Sequence, residues 1–236
     1  MGAERFAGES AVNLEQKCLC VLVLDVSGSM RGSRLNSLNQ GLRDFFDDIL
    51  HTTKPGMENL RDQLEVAIIQ YDEEVQILRN PQLLEDGEMP PTLTERGSVT
   101  ETVMALEEAI KLVEDRKSFY KSTGQPYYRP WIILMTDGEP YGRRASQADI
   151  DAVARRVQEE TAAKRYMMMG IAVGEDANME KLKSMTAGQA LALQGTKFTD
   201  FFQWLSKSLS VVSNSKSGDK VDISEGVDNW MKAITI

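Results

Sequence analysis

Four short, almost unbroken apolar runs constrain this chain more than any other feature of its sequence. They lie at 18–24 (CLCVLVL), 64–71 (LEVAIIQY), 131–136 (WIILMT) and 167–173 (MMMGIAV). A strand with one wet face alternates apolar with polar residues, so a run apolar at nearly every position has both faces covered. Such runs belong in a mostly parallel sheet. The segment 74–78 (EVQIL) follows the second run directly after Asp72 and Glu73, and reads as a hairpin to an antiparallel edge strand. Residues 190–193 are a weaker sixth candidate.

Between these runs the apolar period changes to three and four. Leu35, Leu38, Leu42, Phe45, Phe46 and Ile49 form one face of a long helix. Val103, Leu106, Ile110 and Val113 repeat the pattern, as do Ile150, Val153 and Val157, and then Phe198 to Val212. A shorter helix is expected over 178–185. The alternation predicts an α/β fold: a doubly wound, mostly parallel sheet of about six strands, one of them an antiparallel edge, with helices on both faces. Residues 79–97, with Pro81, Pro90 and Pro91, read as a long crossing loop. Residues 1–14 read as an N-terminal extension, 15–213 as the folded domain, and 214–236 as a polar tail able to dock back through Trp230.

Composition removes several functions. The 236 residues carry 27 Lys+Arg against 36 Asp+Glu, a formal net charge of −9. A nucleic-acid binder needs a basic face to displace counterions, so nucleic acid is not an expected partner. No stretch approaches the ~18 consecutive apolar residues of a membrane helix. The start, MGAERFAGESAVNLEQ, has acidic residues and no apolar centre, unlike a secretory leader. Cys18 and Cys20 would share one strand face, too strained for a mutual disulfide, and with His51 as the sole histidine they make a poor zinc site. The expectation is a reduced, cytoplasmic protein without a membrane partner.

Ligands of open α/β sheets bind beyond the carboxyl ends of the strands. The first run ends in Asp25-Val26-Ser27-Gly28-Ser29-Met30, and the run at 131–136 ends in Thr136-Asp137-Gly138. Gly97-Ser98-Val99-Thr100-Glu101-Thr102 opens the helix that follows the hairpin. The fold can therefore gather two carboxylates and several hydroxyls at one rim, with no lysine or histidine among them. Alternate residues of an extended turn face one way, so Asp25, Ser27 and Ser29 can present oxygens to one point, while Gly28 lets the backbone curl around it. All-oxygen donors suit a hard divalent cation: Mg2+, with Mn2+ or Ca2+ as alternatives. Neutral hydroxyls leave such an ion short of negative charge and ready for an outside carboxylate. The competing reading is a hydroxyl-rich turn in which Ser29 or Ser33 caps the next helix.

DVSGSM, a threonine opening a later helix, and TDG after an apolar strand together resemble the metal-ion-dependent adhesion site of von Willebrand factor A domains. The stretches EQKCLCVLVLDVSGSM, ALEEAIKLVEDRK, PYYRPWIILMTDGEP and FFQWLSKSLS are similar to the bacterial TerY/YegL-like proteins associated with tellurite resistance. The resemblance implies a Rossmann-like sheet and a cation ringed by Asp25, Ser27, Ser29, Thr100 and Asp137. Thr102 is the alternative to Thr100, because Gly-Ser-Val-Thr-Glu-Thr replaces the family's usual Gly-Gly-Thr. The resemblance also implies a non-catalytic interaction module. Its metal would be completed by a Glu or Asp of a protein partner, such as an operon-encoded kinase or phosphatase in a stress-response system.

The alternative function is a Mg2+-dependent phosphohydrolase. That chemistry usually wants a second Asp two residues after the nucleophilic one, and position 27 is Ser27. Nucleotide binding lacks both the glycine fingerprint and a GK[ST] loop.

Overall fold

The computed structural model describes residues 5–6, 8–11, 13–54, 57–174, 177–215 and 222–231. Strands β1 (Cys18–Asp25), β2 (Leu64–Tyr71), β3 (Val75–Gln82), β4 (Trp131–Thr136), β5 (Met167–Val173) and β6 (Ala190–Leu193) form a six-stranded sheet. Its order is β3-β2-β1-β4-β5-β6, with β3 alone antiparallel to its neighbour. The helices are α1 (Ser33–His51), α2 (Leu60–Gln63), α3 (Thr102–Thr123), α4 (Gln147–Ala162), α5 (Met179–Met185) and α6 (Phe198–Ser213).

The unbroken apolar runs are explained by two cores, one on each face of the sheet. From β1, Cys18, Cys20, Leu22 and Leu24 enter the core shared with α1 and α6. Leu19, Val21 and Val23 enter the other, with α3, α4 and α5. Both thiols are free and buried on the same face, and burial pushes Cys18 up to about 12. Alternate strand residues therefore serve opposite cores, and neither set has a wet side. Helices α1 and α6 approach closely at Gly41, where a Cβ would stand 2.8 Å from the Phe202 ring.

One expectation is corrected. β3 runs to Gln82, so the strand takes in Arg79–Gln82 at the start of the expected loop. Pro81 is tolerated because β3 is an edge strand, and its register against β2 shifts on either side of Ile68. The buried Arg79 guanidinium donates to the main-chain carbonyls of Val66, Gln82 and Leu83 and pairs with Glu88. Side-chain donors thus replace ladder bonds where the pairing is irregular. The short helix α2 carries no separate periodic signal in sequence.

A buried ionic cluster closes the pole where β1 and β2 begin. Arg116 of α3 forks onto Glu65 at 2.7 Å through both Nε and Nη2, and Tyr120 donates to the same carboxylate at 2.6 Å. Glu9 joins Arg116 at 2.6 Å while Phe6 lies against the guanidinium, so the N-terminal segment is clasped to this pole. Tyr127 stacks on Tyr120, and Tyr128 donates to the carbonyls of Ser213 and Ser215, so both tyrosines serve internal packing.

The tail docks. Trp230 is fully buried against Phe201 and Trp204, at ring-centroid distances of 5.0 and 5.1 Å. Gln194 N–H donates to the Trp230 carbonyl at 2.7 Å, and Leu193 bridges Met231 at the free edge of β6. Trp230→Ala is expected to lower unfolding free energy by about 3–5 kcal/mol, the usual cost of emptying a large aromatic site. A urea denaturation midpoint unchanged from the native chain would show that this contact contributes nothing to the body of the fold.

Candidate metal centre

The strand order reverses direction between β1 and β4, and these two neighbours deliver the two candidate carboxylates. Their register pairs Leu24 with Met135, which sets Asp25 beside Thr136 at the carboxyl end of the sheet. Asp25 is fully buried. Its Oδ1 accepts the Ser27 N–H at 2.9 Å and its Oδ2 accepts the Thr136 hydroxyl at 2.7 Å. Burial pushes the Asp25 carboxyl up to about 6; the bonds from Ser27 and Thr136 oppose that rise, and the nearby Asp137 charge adds to it.

After Ser27 the chain makes one 3-10 turn, Gly28–Met30, before α1 begins. Gly32 is the N-cap of α1 and no side chain caps either helix start. The hydroxyls of Ser27 and Ser29 instead face each other at 3.2 Å, and Ser29 Oγ donates to Asp137 Oδ1 at 2.6 Å. That arrangement disfavours the helix-capping reading of DVSGSM.

Thr100 arrives from a third loop, which lies directly over the turn. A Cβ on Gly28 would stand 3.7 Å from the Gly97 carbonyl and 3.8 Å from Ser98 Cα. Thr100 is buried and tied by main-chain bonds to Tyr141, just downstream of Asp137: Thr100 N–H donates at 2.7 Å and Tyr141 N–H returns a bond at 3.0 Å. Thr102 is fully buried as the first residue of α3. Its hydroxyl reaches the Thr100 carbonyl at 3.5 Å and lies within hydrogen-bonding reach of Tyr71, whose phenol is held well above its usual range by burial.

Two residues at this rim carried no functional signal in sequence. Glu101, with a side chain 1% exposed, accepts the main-chain N–H groups of Arg143 at 2.6 Å and Arg144 at 3.2 Å. Its own N–H donates to the Asp72 carbonyl at 3.0 Å. One buried residue therefore ties the Thr100 loop to the hairpin through its main chain and to the segment after Asp137 through its carboxylate. The other is Arg34, in the first turn of α1. Its Nη1 donates to Asp137 Oδ2 at 2.8 Å and to the Ser29 carbonyl at 3.3 Å. Sequence alone offers only a helix-start arginine nine positions after Asp25, and nothing marks it as a partner of position 137. His51 lies away from this rim, exposed at the end of α1 and 3.0 Å from Asp47.

Among the described residues no group of three or more His, Cys, Asp or Glu side chains converges on one point. The candidate donors are two carboxylates and neutral hydroxyls. The separations along Ser27, Ser29 and Asp137, 3.2 and 2.6 Å, bracket the edge of roughly 3 Å that an octahedral shell with bonds of about 2.1 Å requires. Oxygen-only donors at that spacing fit a hard divalent cation.

Comparison with curated proteins finds no match. Among solved structures the chain is similar to a von Willebrand factor type A protein from Catenulispora acidiphila, with TM-score 0.59 and 14% identity over 83% of this chain and 43% of that one. It is similar to proximal thread matrix protein 1 of the mussel byssus with a zinc-occupied MIDAS motif, with TM-score 0.53 and 16% identity over 84% and 49%. It is also similar to the pilus adhesin SpaC of Lactobacillus rhamnosus GG in its open conformation, with TM-score 0.59 and 13% identity over 86% and 31%. The chain spans less than half the length of each of these three structures. Identities this low carry the fold alone. Among the described residues no helix is long and apolar enough to cross a membrane. The von Willebrand factor type A domain family matches residues 20–207, most of the sheet and its helices, and the chain belongs to that family.

Proposed function

We propose that this chain is a non-catalytic, cation-dependent protein-interaction module. Asp25, Ser27, Ser29, Thr100 and Asp137 would hold Mg2+ or a similar divalent ion, and an acidic side chain of a partner protein would complete its ligands. The observation that carries this reading is the mutual placement of Ser27, Ser29 and Asp137, with both hydroxyls spent on each other and on the carboxylate. Bound there, the ion would supply a Lewis-acid contact for an outside carboxylate, while the side chains around it supply orientation. Domains of this family generally act as interaction modules, and the similar byssus protein is described with zinc in its MIDAS motif. Both support a divalent ion here.

The similarity of residues 15–213 to TerY/YegL-like proteins supports a finer proposal. The chain would serve as a cytoplasmic scaffold or adaptor in a bacterial stress or tellurite-resistance system, with an operon-encoded kinase or phosphatase as partner.

Ser27→Ala removes one neutral donor without opening the core. Calorimetric titration is expected to show Mg2+ or Mn2+ affinity reduced by tenfold or more, with the unfolding midpoint in EDTA nearly unchanged; equal affinity rejects the site. In a pull-down, the partner should be lost on EDTA treatment and recovered with excess Mg2+, whereas a complex indifferent to chelation places recognition elsewhere.

Asp25 gives a prediction of opposite sign. Its folded carboxyl titrates near 6 against 3.8 for the free group, so the folded state binds the proton more tightly. Its charge therefore costs stability above about pH 6, and that cost fades as pH falls towards about 4. Asp25→Asn is expected to stabilise the metal-free protein at pH 7.5 by on the order of 2–3 kcal/mol, with roughly a third of that gain at pH 4.5 and less below it. It should also abolish the rise in melting temperature on adding Mg2+. A metal-free variant less stable than the native chain at pH 7.5 contradicts the burial argument.

A further inference from the structure

We propose that the cleft beside Tyr141 takes a lysine or arginine side chain of the partner protein, so that the partner is read through one acidic and one basic residue of a short segment. The inference rests on the cation reading above and adds a second requirement to the partner of that site.

The cleft has a volume of about 570 Å3 and opens next to Thr100. Val99 and Glu101, the neighbours of Thr100, line it together with Tyr141 and Arg143, and Glu73 and Glu74 of the hairpin complete the lining. Close contacts fix its place. A Cβ on Gly97 would stand 2.6 Å from Glu73 Cγ, and one on Gly28 of the serine turn 3.7 Å from the Gly97 carbonyl. A Cβ on Gly142 would stand 2.7 Å from Val99 Cγ1 and would also meet the Glu101 carboxylate. Two glycines, Gly97 and Gly142, thus let the hairpin and the segment after Asp137 close on the Thr100 loop.

Charge decides what fits there. Arg143 is already engaged: its Nε lies 3.3 Å from Glu101 Oε1, and its Nη2 donates to the Glu73 carbonyl at 2.9 Å. Glu73 and Glu74 are exposed, and neither pairs with a cation among the described residues; Glu74 has the Gln76 amide at 3.4 Å. Asp72, just before them, is only 3% exposed. Its Oδ1 accepts the Glu74 N–H at 3.0 Å, which turns the carboxylate under the same hairpin, and its Oδ2 has no hydrogen-bond partner among the described residues. A buried acid left short of partners gains from any positive charge brought near it. The cleft is therefore negative on its hairpin side, with Arg143 matched to Glu101 on the other.

The apolar lining chooses among cations. Tyr141 is 68% exposed, a large ring left in water while its main chain is pinned to Thr100 by bonds of 2.7 and 3.0 Å. A guanidinium or ammonium group is attracted to such a ring, and the methylenes behind it can cover the ring and Val99. A metal ion has no stem to lay on either, and a cleft of this volume is far larger than one ion needs. Because the cleft adjoins Thr100, the basic side chain and the acid that meets the ion would come from the same stretch of the partner.

The test titrates isotope-labelled full chain with acetyl-Asp-Gly-Gly-Arg-amide and with the same residues in reverse order, each against a twin carrying Gln for Arg, in Mg2+ and in EDTA. In Mg2+ the arginine peptide of at least one order is expected to bind about tenfold more tightly than its twin, shifting the amide signals of Gly142 and Arg143. Glu73→Gln combined with Glu74→Gln should bring peptide and twin level. Glu58→Gln combined with Glu159→Gln, which removes the same charge from exposed sites ahead of β2 and β5, should keep the difference. Equal binding of peptide and twin by the native chain overturns the inference, as does an arginine preference that survives Glu73→Gln with Glu74→Gln, or no binding of any arginine peptide. Loss of a bound Mn2+ from that same double variant would make the cleft an ion site and also overturns it. EDTA should weaken peptide and twin by the same factor. Binding indifferent to EDTA overturns the cation reading, while the arginine preference still judges the cleft.

Discussion

The parallel pairing of β1 with β4 is the constraint on which the rest of the site depends. Strand order reverses there, so the loops leaving the two strands turn to opposite faces and leave a crevice between them. Register Leu24 to Met135 sets Asp25 beside Thr136, and the hydroxyl of Thr136 holds Asp25 in place at 2.7 Å. Asp137 follows one residue later and meets Ser29 across the crevice. A one-residue slip of either strand would send these side chains to the opposite face. Such a slip is opposed by the apolar set on each strand, because β1 and β4 are buried on both faces and every residue already has a core to fill.

Loop placement follows from buried polar groups rather than from the sheet alone. Glu101 is the main one, accepting main-chain N–H groups from the segment after Asp137 while its own N–H holds the hairpin. An unpaired carboxylate at that depth would be costly, so its bonds must form together with the fold. The result is a rim whose three loops are held by one another. Thr100 then reaches its position through main-chain bonds to Tyr141, a geometry that leaves the threonine hydroxyl uninvolved in holding the loop.

Much of this was legible in sequence because it depends on period and spacing. Runs apolar at nearly every position announced strands covered on both faces, and the spacing Ser-x-Ser after the first of them announced two hydroxyls brought side by side. The end of β3 was not legible. Pro81 signals a loop, whereas the strand continues to pair as far as Gln82 with Val66 and the Arg79 guanidinium bonds carbonyls across the irregular register. Arg34 and Glu101 were missed for a related reason. A single charged residue beside a motif has no period, and its meaning lies in a partner on another loop, 103 positions away for Arg34 and Asp137. The placement of Trp230 was readable only as a possibility of burial, since an aromatic residue after a polar stretch does not say which groove it fills.

The same burial that positions the two aspartates also makes the charge of Asp25 costly. Asp25 is fully enclosed, beside a second carboxylate, and its bonds from the Ser27 N–H and the Thr136 hydroxyl do not restore it to the ordinary carboxylate range. Asp137 is enclosed as well, yet it has a guanidinium against one oxygen. The two acids therefore stand in different surroundings: one has a guanidinium against one oxygen, the other a hydroxyl and a main-chain N–H. A divalent ion that met both would relieve Asp25 far more than Asp137. Were a divalent ion to bind there, folding with Asp25 charged would couple the stability of the domain to occupancy of its rim, a thermodynamic consequence of where the sheet places position 25.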